Sequence, residues 1–457
     1  MIGREVERRK SQSMKTHWDA IIVGGGAAGL WAAGTAAERG KRVLVLEKNN
    51  KAGVKILMSG GTRCNITHHC DSKRIAEAFG KQGRVLLSVL DRLSPSDVVQ
   101  MFESEGVATK IESTGKVFPV SDHAIDVRDA LVRRLVRFGA ELITGCGVQD
   151  VRPLQRGTQE LVADPGDDSR VGFQVVAQKL GQTMQWTSDT VLITTGGLSY
   201  SGCGTTGDGY AWVKQMGHTV TSLKPALTPL ASPAAWVHEL SGLTLEDIAV
   251  RADVMEGGGL PDGKGVGSKP MKLERREYRG GFLWTHVGCS GPTSMNVSRC
   301  FSDRTQGDRL ELVLDLLPDS SLQELEEWIR QETQKSNRAV STVLSQRVPK
   351  RLATTILQEV SGGRDPHLAE LPKGIRIRML ETLKRLVVPI SGTLGYPKAE
   401  VTAGGVPVGE VNFQDMQSRK QPGLYLAGEI LDLDGPIGGF NFQAAWSTGH
   451  TAGLHLG

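Results

Sequence analysis

The run Asp19-Ala20-Ile21-Ile22-Val23-Gly24-Gly25-Gly26-Ala27-Ala28-Gly29-Leu30 carries more structural information than any other part of the chain. Ala20 to Val23 reads as a short buried strand. Gly24, Gly26 and Gly29 have the G-x-G-x-x-G spacing. Ala27 to Arg39 is Ala-rich and reads as a helix ended by Gly40. Lys41 to Leu46 reads as a second strand, with Glu47 at its end. Each part suits the holding of a dinucleotide. Gly24 makes the tight turn off the strand, Gly26 lets a pyrophosphate approach the backbone, and Gly29 lets the helix pack on the sheet. The helix N-terminus, at Ala27 and Ala28, offers free N–H groups and partial positive charge. Glu47 can accept hydrogen bonds from ribose hydroxyls, and Lys48 beside it joins the candidate contacts.

Outward from this unit, 457 residues are enough for two or three domains. With 39% hydrophobic and 23% charged residues, the composition is that of a soluble globular protein. The 56 glycines point to many tight turns and close backbone approaches. A formal charge of +4, with both signs interspersed, gives no nucleic-acid face. No apolar run approaches the roughly 18 to 20 residues of a spanning helix, so no membrane partner is expected. Residues 1–17 are polar and basic and read as a tail rather than a secretory signal, and Met14 is a plausible alternative start. The six cysteines lack a C-x-x-C pair, which argues against a metal site and against a secreted disulfide scaffold. Reduced thiols in a cytoplasm are the expectation.

Along the chain, Lys51 to Cys70 is a loop rich in Gly, Ser, Thr and Asn. Ser94-Pro95 opens a helix to about Glu105. Lys116 to Val120 is extended, Ala124 to Phe138 helical, and Glu141 to Val151 the next strand. Residues 152–188 read as hairpins with a turn at Gly166, and Thr190 to Thr195 as a strand. From about 217 to 300 the pattern is short strands, including Ile248 to Glu256 and Gly281 to His286, with a loop tip at Gly257 to Gly263. Helices follow: one capped by Asp319 or Ser320 and running to about Gln334, then Ala339 to Val348, Lys350 to Val360 and Ile375 to Val388. Leu424 to Ala427 is a buried strand and Asn441 to Leu454 a closing helix. The middle of the chain is thus an insertion into an α/β domain.

Four segments carry candidate chemistry. Ser59 to Asn65 is dense in backbone N–H groups, with Gly61, Arg63 and Asn65 placed to lie along a cofactor. Cys64 in the same loop reads as packing rather than as a redox thiol. Gly428-Glu429 through Asp432 to Gly438-Gly439-Phe440-Asn441 follows a strand and opens a helix, whose N-terminus would face the cofactor ring. Thr195-Gly196-Gly197 ends a strand and suits backbone contact, as does Val148. Gly204 to Gly209 reads as the hinge into the insertion. His286 and Tyr200 are the candidate proton-handling residues.

These segments together resemble the BaiN-like (YhiN-like) flavoprotein family of NAD(P)/FAD-dependent oxidoreductases. The marks are Lys55 to Asn65, Lys116 to Pro119, Thr195 to Tyr200, Thr285 to Pro292, Thr402 to Val406, and Gly428 to Asp432 with Gly438 to Asn441. The resemblance spans Trp18 to Gly453. It implies a Rossmann-type FAD-binding domain interrupted by a β-barrel-like domain, which itself carries a helical subdomain. The expected division is residues 18–205, then 206–303 for the barrel-like domain, 304–390 for the helices, and 391–457 for the return. It implies FAD, with Glu47 on the ribose and Arg63 to Asn65 and Gly438 to Asn441 at the isoalloxazine. Thr62, where the family often has Gly, and Tyr200 to Gly204, where it often has Tyr-Pro-x-Thr-Gly, depart from the pattern.

The expected function is hydride transfer between the flavin and a small organic substrate entering near His286 and Tyr200. The absence of a second dinucleotide turn argues against a separate nicotinamide domain. NAD(P)H as a transient reductant stays open. So does the alternative of an oxygen-using oxidase of small amines, because fold and cofactor do not choose a reaction. Oligomeric state is not legible.

Overall fold

The structure, a computed structural model, describes residues 17–154, 172–254, 277–304 and 310–457. Residues 1–16 of the expected tail, the turn at Gly166 and the loop tip at Gly257 to Gly263 lie outside the described residues, and His17, expected to end the tail, is already the first residue of a strand. The chain divides into two compact units, Met1–Leu223 with Val401–Gly457, and Lys224–Glu400.

In the first unit the opening reading becomes strand β1 (His17–Val23), helix α1 (Ala27–Glu38) and strand β2 (Val43–Leu46). Helix α2 is short (Val54–Met58), and α3 (Pro95–Ser104) starts in a reciprocal cap between Ser94 and Asp97. Helix α4 (Ala124–Arg137) leads to β3 (Glu141–Ile143). The single strand expected over Glu141 to Val151 is two. Gly145, at φ +64°, breaks it and donates its N–H to the Asn49 carbonyl. Strand β4 (Cys146–Pro153) then leaves to form antiparallel pairs with β5 (Phe173–Lys179), which pairs in turn with β6 (Gln182–Ile193). Gly204 to Gly209 opens helix α5 (Asp208–Gln215), which remains in this unit.

The second unit holds an antiparallel sheet. Its members include β7 (Thr244–Val254), β8 (Glu277–Thr285) and β9 (Gly288–Ser290), followed by helix α6 (Pro292–Asp303) and β10 (Leu310–Asp315). Helix α7 (Leu322–Lys335) is capped by Ser321 in a reciprocal pair with Glu324, one residue beyond the expected caps. A short helix covers Val340–Leu344, and α8 (Lys350–Ser361) and α9 (Lys373–Lys384) follow. The helix expected to run to Val388 stops at Lys384. Leu386–Val388 is instead strand β11, paired with Leu312 to Leu314. An apolar run at the end of an amphipathic helix reads alike in either state. The partner strand, 72 to 76 positions earlier in the chain, decides it.

The return to the first unit supplies strand β12 (Leu424–Leu426) and closing helix α10 (Phe440–His455). Five parallel strands then lie in the order β3-β2-β1-β6-β12. Their register matters most: Val23 is level with Leu46 and with Ile193, and Ile193 with Leu426. Ile143 is level with Leu46 as well, so all five strands end on one line, and Gly24, Glu47, Thr194 and Ala427 emerge side by side. Helices α1 and α10 cross closely because Gly449 and Gly453 face Ala28 and Ala32. A Cβ at either glycine would come within 2.4 to 2.7 Å of those residues' carbonyl oxygens. Among the described residues no helix is long and apolar enough to cross a membrane.

Candidate functional site

The carboxyl ends of parallel strands are where open α/β sheets bind ligands. At this edge the three motif glycines sort into two kinds. Gly24 has φ +107°, and a Cβ there would meet the Thr194 carbonyl oxygen at 2.6 Å. A Cβ on Gly29 would meet the Gly24 carbonyl oxygen at 2.0 Å and Thr194 Oγ1 at 2.6 Å. The Thr194 hydroxyl donates to the Gly24 carbonyl at 2.8 Å and locks the turn. Both glycines are thus required by the protein's own packing. Gly26 is not. Its φ is −86°, and nothing lies within 4 Å of the place its Cβ would take. It caps α1 with no side-chain hydrogen bond, and no acidic residue stands in the first turn. The first intrahelical bond of the α1 start is Leu30 N–H to Gly26. The N–H groups of Ala27, Ala28 and Gly29 precede it and point out of the helix end. An anion fits this place, with open space and orphan donors together.

Glu47 is buried at 8% exposure. Its Oε2 accepts from the Gly25 N–H at 2.8 Å, and its Oε1 from the Asn49 N–H at 2.8 Å and side-chain amide at 2.7 Å. The carboxylate therefore braces the turn. Oε1 is thus filled, while Oε2 keeps acceptor capacity beyond the Gly25 bond. Asn49 reaches on to the Cys203 carbonyl at 3.0 Å. Lys48 pairs with Asp208 at 2.6 Å and with Thr206 at 2.5 Å, so its charge is spent on the start of α5. Val148 lies on β4, opposite Ala177.

The loop Ser59 to Asn65 is strained. Gly60 and Gly61 are left-handed at φ +55° and +66°, and so are Thr62 at +70° and Cys64 at +61°. A β-branched residue there is a true outlier. Cys64 is wholly buried, and burial pushes its thiol up to about 12. It is a packing residue, not a thiolate. The Arg63 guanidinium lies 4.0 Å from the centre of the Phe118 ring and donates to Glu112 at 2.8 Å. Asn65 is buried beside Gly60. On the facing segment, Gly438 and Gly439 have φ +139° and +92°, and a Cβ on Gly439 would lie 2.4 Å from the Thr67 carbonyl carbon. His68 stacks on Phe440 at 4.8 Å and donates from Nδ1 to the Gly438 carbonyl at 3.0 Å. Burial pushes the His68 pKa down. Asn441 holds the approach to α10 by accepting from the Gly435 N–H and donating to its carbonyl. Gly428 is left-handed and donates to Thr448, and Asp432 accepts from Thr221 at 3.1 Å.

Beyond β6, Thr195 Oγ1 is buried with no hydrogen-bond partner among the described residues. Gly196 is at φ +72°, and a Cβ on Gly197 would strike Thr402. Tyr200 is left-handed at φ +54°. Beside it lies a cluster the sequence reading did not assemble. Lys55 donates to Ser199 at 2.7 Å and Glu429 at 2.5 Å, and Ser199 donates to Glu429 at 2.5 Å. Of these only Glu429 is among the candidate site residues. The available signal was that Lys55, Ser199, Thr402 and Glu429 each sit in a different quoted family mark. His286, in the second unit, is exposed in the turn between β8 and β9, with no hydrogen bond among the described residues.

A second cluster has the order of a hydrolytic triad. Ser418 Oγ lies 2.7 Å from His218 Nε2, and His218 Nδ1 lies 2.8 Å from Glu410. Burial pushes the His218 pKa down against the pull of Glu410. Ser418 Oγ, however, accepts from the N–H groups of Lys420 and Gln421 at 3.0 and 2.9 Å. Its lone pairs are used by a turn, and the hydroxyl is buried at 6% exposure. This is a structural clamp and not a nucleophile.

Parallel strands ending on one line, a glycine turn feeding an uncapped helix and an acid at the end of the second strand define a Rossmann-type dinucleotide-binding enzyme. The chain belongs to the family described as HI0933-like protein Rossmann domain, which matches residues 18–455, and it is an FAD-dependent oxidoreductase. It is 29% identical to the ribosomal RNA dihydrouridine synthase of Escherichia coli strain K12, over 94% of this chain and 96% of the relative. It is also 29% identical to the 3-dehydro-bile acid delta(4,6)-reductase of Clostridium scindens, over 94% and 97%. Among solved structures, the 3-ketosteroid delta1-dehydrogenase of Sterolibacterium denitrificans aligns at 13% identity over 97% of this chain and 99% of that one. Its TM-score is 0.49, a loose likeness.

Proposed function

We propose that the first unit holds FAD at the carboxyl edge of its sheet and that the enzyme reduces a carbon–carbon double bond conjugated to a carbonyl group. The observation that carries the cofactor assignment is Gly26, a glycine that the protein's own packing does not require and that fronts open space and orphan N–H groups. Gly26, Ala27 and Ala28 would meet the pyrophosphate, and Gly24 and Gly29 shape the turn. Glu47 would meet the ribose, with Lys48 and Val148 alongside. Gly61, Arg63, Cys64, Asn65, Thr195, Gly196, Gly197, Gly428, Glu429, Asp432, Gly438, Gly439, Phe440 and Asn441 would line the ring and its linker. FAD supplies hydride exchange at its ring. The residues supply position, exclusion of water and a proton, the last from Tyr200 or His286.

The reaction class rests on what the names of two relatives share. A dihydrouridine is a uridine whose ring C=C, conjugated to a carbonyl, has been saturated, and a delta(4,6)-reductase of a 3-dehydro acid saturates C=C bonds conjugated to a ketone. A small unsaturated acid or ketone is the first reading, in keeping with the even surface charge. A uridine in ribosomal RNA is the second, favoured by two relatives of that name.

The test is anaerobic. FAD-loaded protein receives NADPH, then NADH, and the flavin band near about 450 nm is followed. Bleaching, then recovery on adding a conjugated enone or a uridine-containing ribosomal RNA fragment, supports the reading and tells the two substrates apart. Recovery with neither sinks it. A band bleached only by small amines redirects the assignment to oxidation. His286→Ala should slow turnover at full flavin occupancy, and normal turnover removes His286 from the chemistry.

A further inference from the structure

The polar cluster at Ser199 is more constrained than packing demands. Ser199 has no exposed surface. Its N–H donates to Thr402 Oγ1 at 2.9 Å, its hydroxyl donates to Glu429 and accepts from Lys55, and its carbonyl accepts from the Thr205 hydroxyl. Glu429 Oε1 also accepts from the Thr402 N–H at 2.8 Å, and its Oε2 takes the Lys55 ammonium at 2.5 Å. Lys55 and Glu429 are 374 positions apart in the chain. Their side chains are only 27% and 20% exposed. A pair this sheltered loses much of its Coulomb gain to desolvation, and apolar residues of similar volume would stabilise as well. The charges are better explained by what they hold in place.

What they hold is specific. Lys55 is on α2, immediately before the left-handed loop at Ser59 to Asn65. Glu429 follows the left-handed Gly428 after β12. Ser199 precedes Tyr200, a non-glycine residue at φ +54° and ψ +55°. Such a conformation persists only where the surroundings over-determine it. The cluster ties three loops of the carboxyl edge to one point and fixes the backbone from which Tyr200 projects.

We infer that Lys55, Ser199, Thr402 and Glu429 are positioning residues that hold these three loops in the geometry FAD requires and present Tyr200. This rests on the cofactor reading above. Lys55→Met alone strands the Glu429 carboxylate and destabilises the fold, so the informative variant is Lys55→Met with Glu429→Gln. That double variant should unfold, as apoprotein, within a few degrees of the parent. Its dissociation constant for FAD, from titration of the apoprotein, should rise at least about tenfold. Chymotrypsin should nick it after Tyr200, where the parent resists. Lys55→Arg should recover part of the FAD affinity. Unchanged FAD affinity, unchanged nicking, or an affinity loss that merely follows a lowered apoprotein midpoint overturns the inference. Gly26→Val serves as the control. If Gly26→Val binds FAD normally, the cofactor reading fails. If it loses FAD while the double variant keeps it, only the positioning role fails.

Discussion

The turn Gly24 to Gly29 and the loop Ser59 to Asn65 are both glycine-rich, and they treat backbone strain in opposite ways. In the turn, the left-handed position is a glycine, and the only glycine with room for a side chain has an ordinary φ. The turn is thus relaxed, and one position is kept open. In the loop, Thr62 and Cys64 occupy left-handed conformations that glycine would hold at lower cost. They are held there by a turn bond from the Cys64 N–H to the Ser59 carbonyl and by tertiary contacts, namely the burial of the Cys64 side chain and the seating of Arg63 on Phe118 and Glu112. A relaxed turn can be read as a motif. A strained loop is stable only once its surroundings exist.

The largest expected effect breaks the turn itself. Gly29→Ala should lower stability by about 3 kcal/mol or more in urea unfolding, because its Cβ would overlap the Gly24 carbonyl. Gly26→Ala should lie within about 0.5 kcal/mol of the parent. Equal losses would erase the distinction between the two glycines. Gly26→Val should keep the fold yet weaken FAD by about a hundredfold, near 2.7 kcal/mol, and a variant purified with normal flavin content would refute the site.

His450 tests how the turn's helix is backed. It accepts from the Trp31 indole at 3.3 Å across the α1 and α10 contact, and burial pushes its pKa down to about 4. The unfolded chain, with an ordinary histidine pKa, takes the proton first. The stability His450 contributes is therefore full above about pH 6.5 and is lost as the pH falls toward 4, on the order of 2 kcal/mol. His450→Gln should flatten that part of the stability profile relative to the parent. An identical slope would mean that His450 is solvated.

Glu47→Ala should weaken FAD about tenfold, near 1.4 kcal/mol. It should also cost the apoprotein about 1 to 2 kcal/mol, because the Gly25 and Asn49 N–H groups lose their acceptor. Unaltered FAD titration would confine Glu47 to bracing the turn. The smallest effect belongs to the strained loop. Thr62→Gly relieves about 1 to 2 kcal/mol of left-handed strain and adds roughly 0.5 to 1 kcal/mol of unfolded-chain entropy, for a net gain of about 0.5 kcal/mol. A net loss would show that the Thr62 hydroxyl, 2.6 Å from the Gly61 carbonyl, matters more than the strain.

Legibility followed the range of the interactions. Helix α1, the Ser94 cap and closing helix α10 depend on residues a few positions apart and stand within a residue or two of the expected bounds. The break at Gly145 and the conversion of Leu386–Val388 to a strand depend on Asn49 and on Leu312 to Leu314, and periodicity has no access to either. Among the candidate residues, Lys48 and Arg63 proved to be held by Asp208 and Glu112, partners that no spacing suggests. Lys55 and Ser199 each sit in a quoted family mark, but nothing within either segment indicates that both meet Glu429.

By itself the sequence determined the dinucleotide turn, the acid that ends the second strand, and the family to which the chain belongs. These are local patterns with fixed spacing, set by the sterics of a strand feeding a helix. Only the tertiary structure decided which glycines serve the fold and which leaves room for a ligand, that Cys64 is inert, and that Lys55 meets Glu429. Each of those depends on atoms from distant segments that become neighbours only when five strands end in register on one edge.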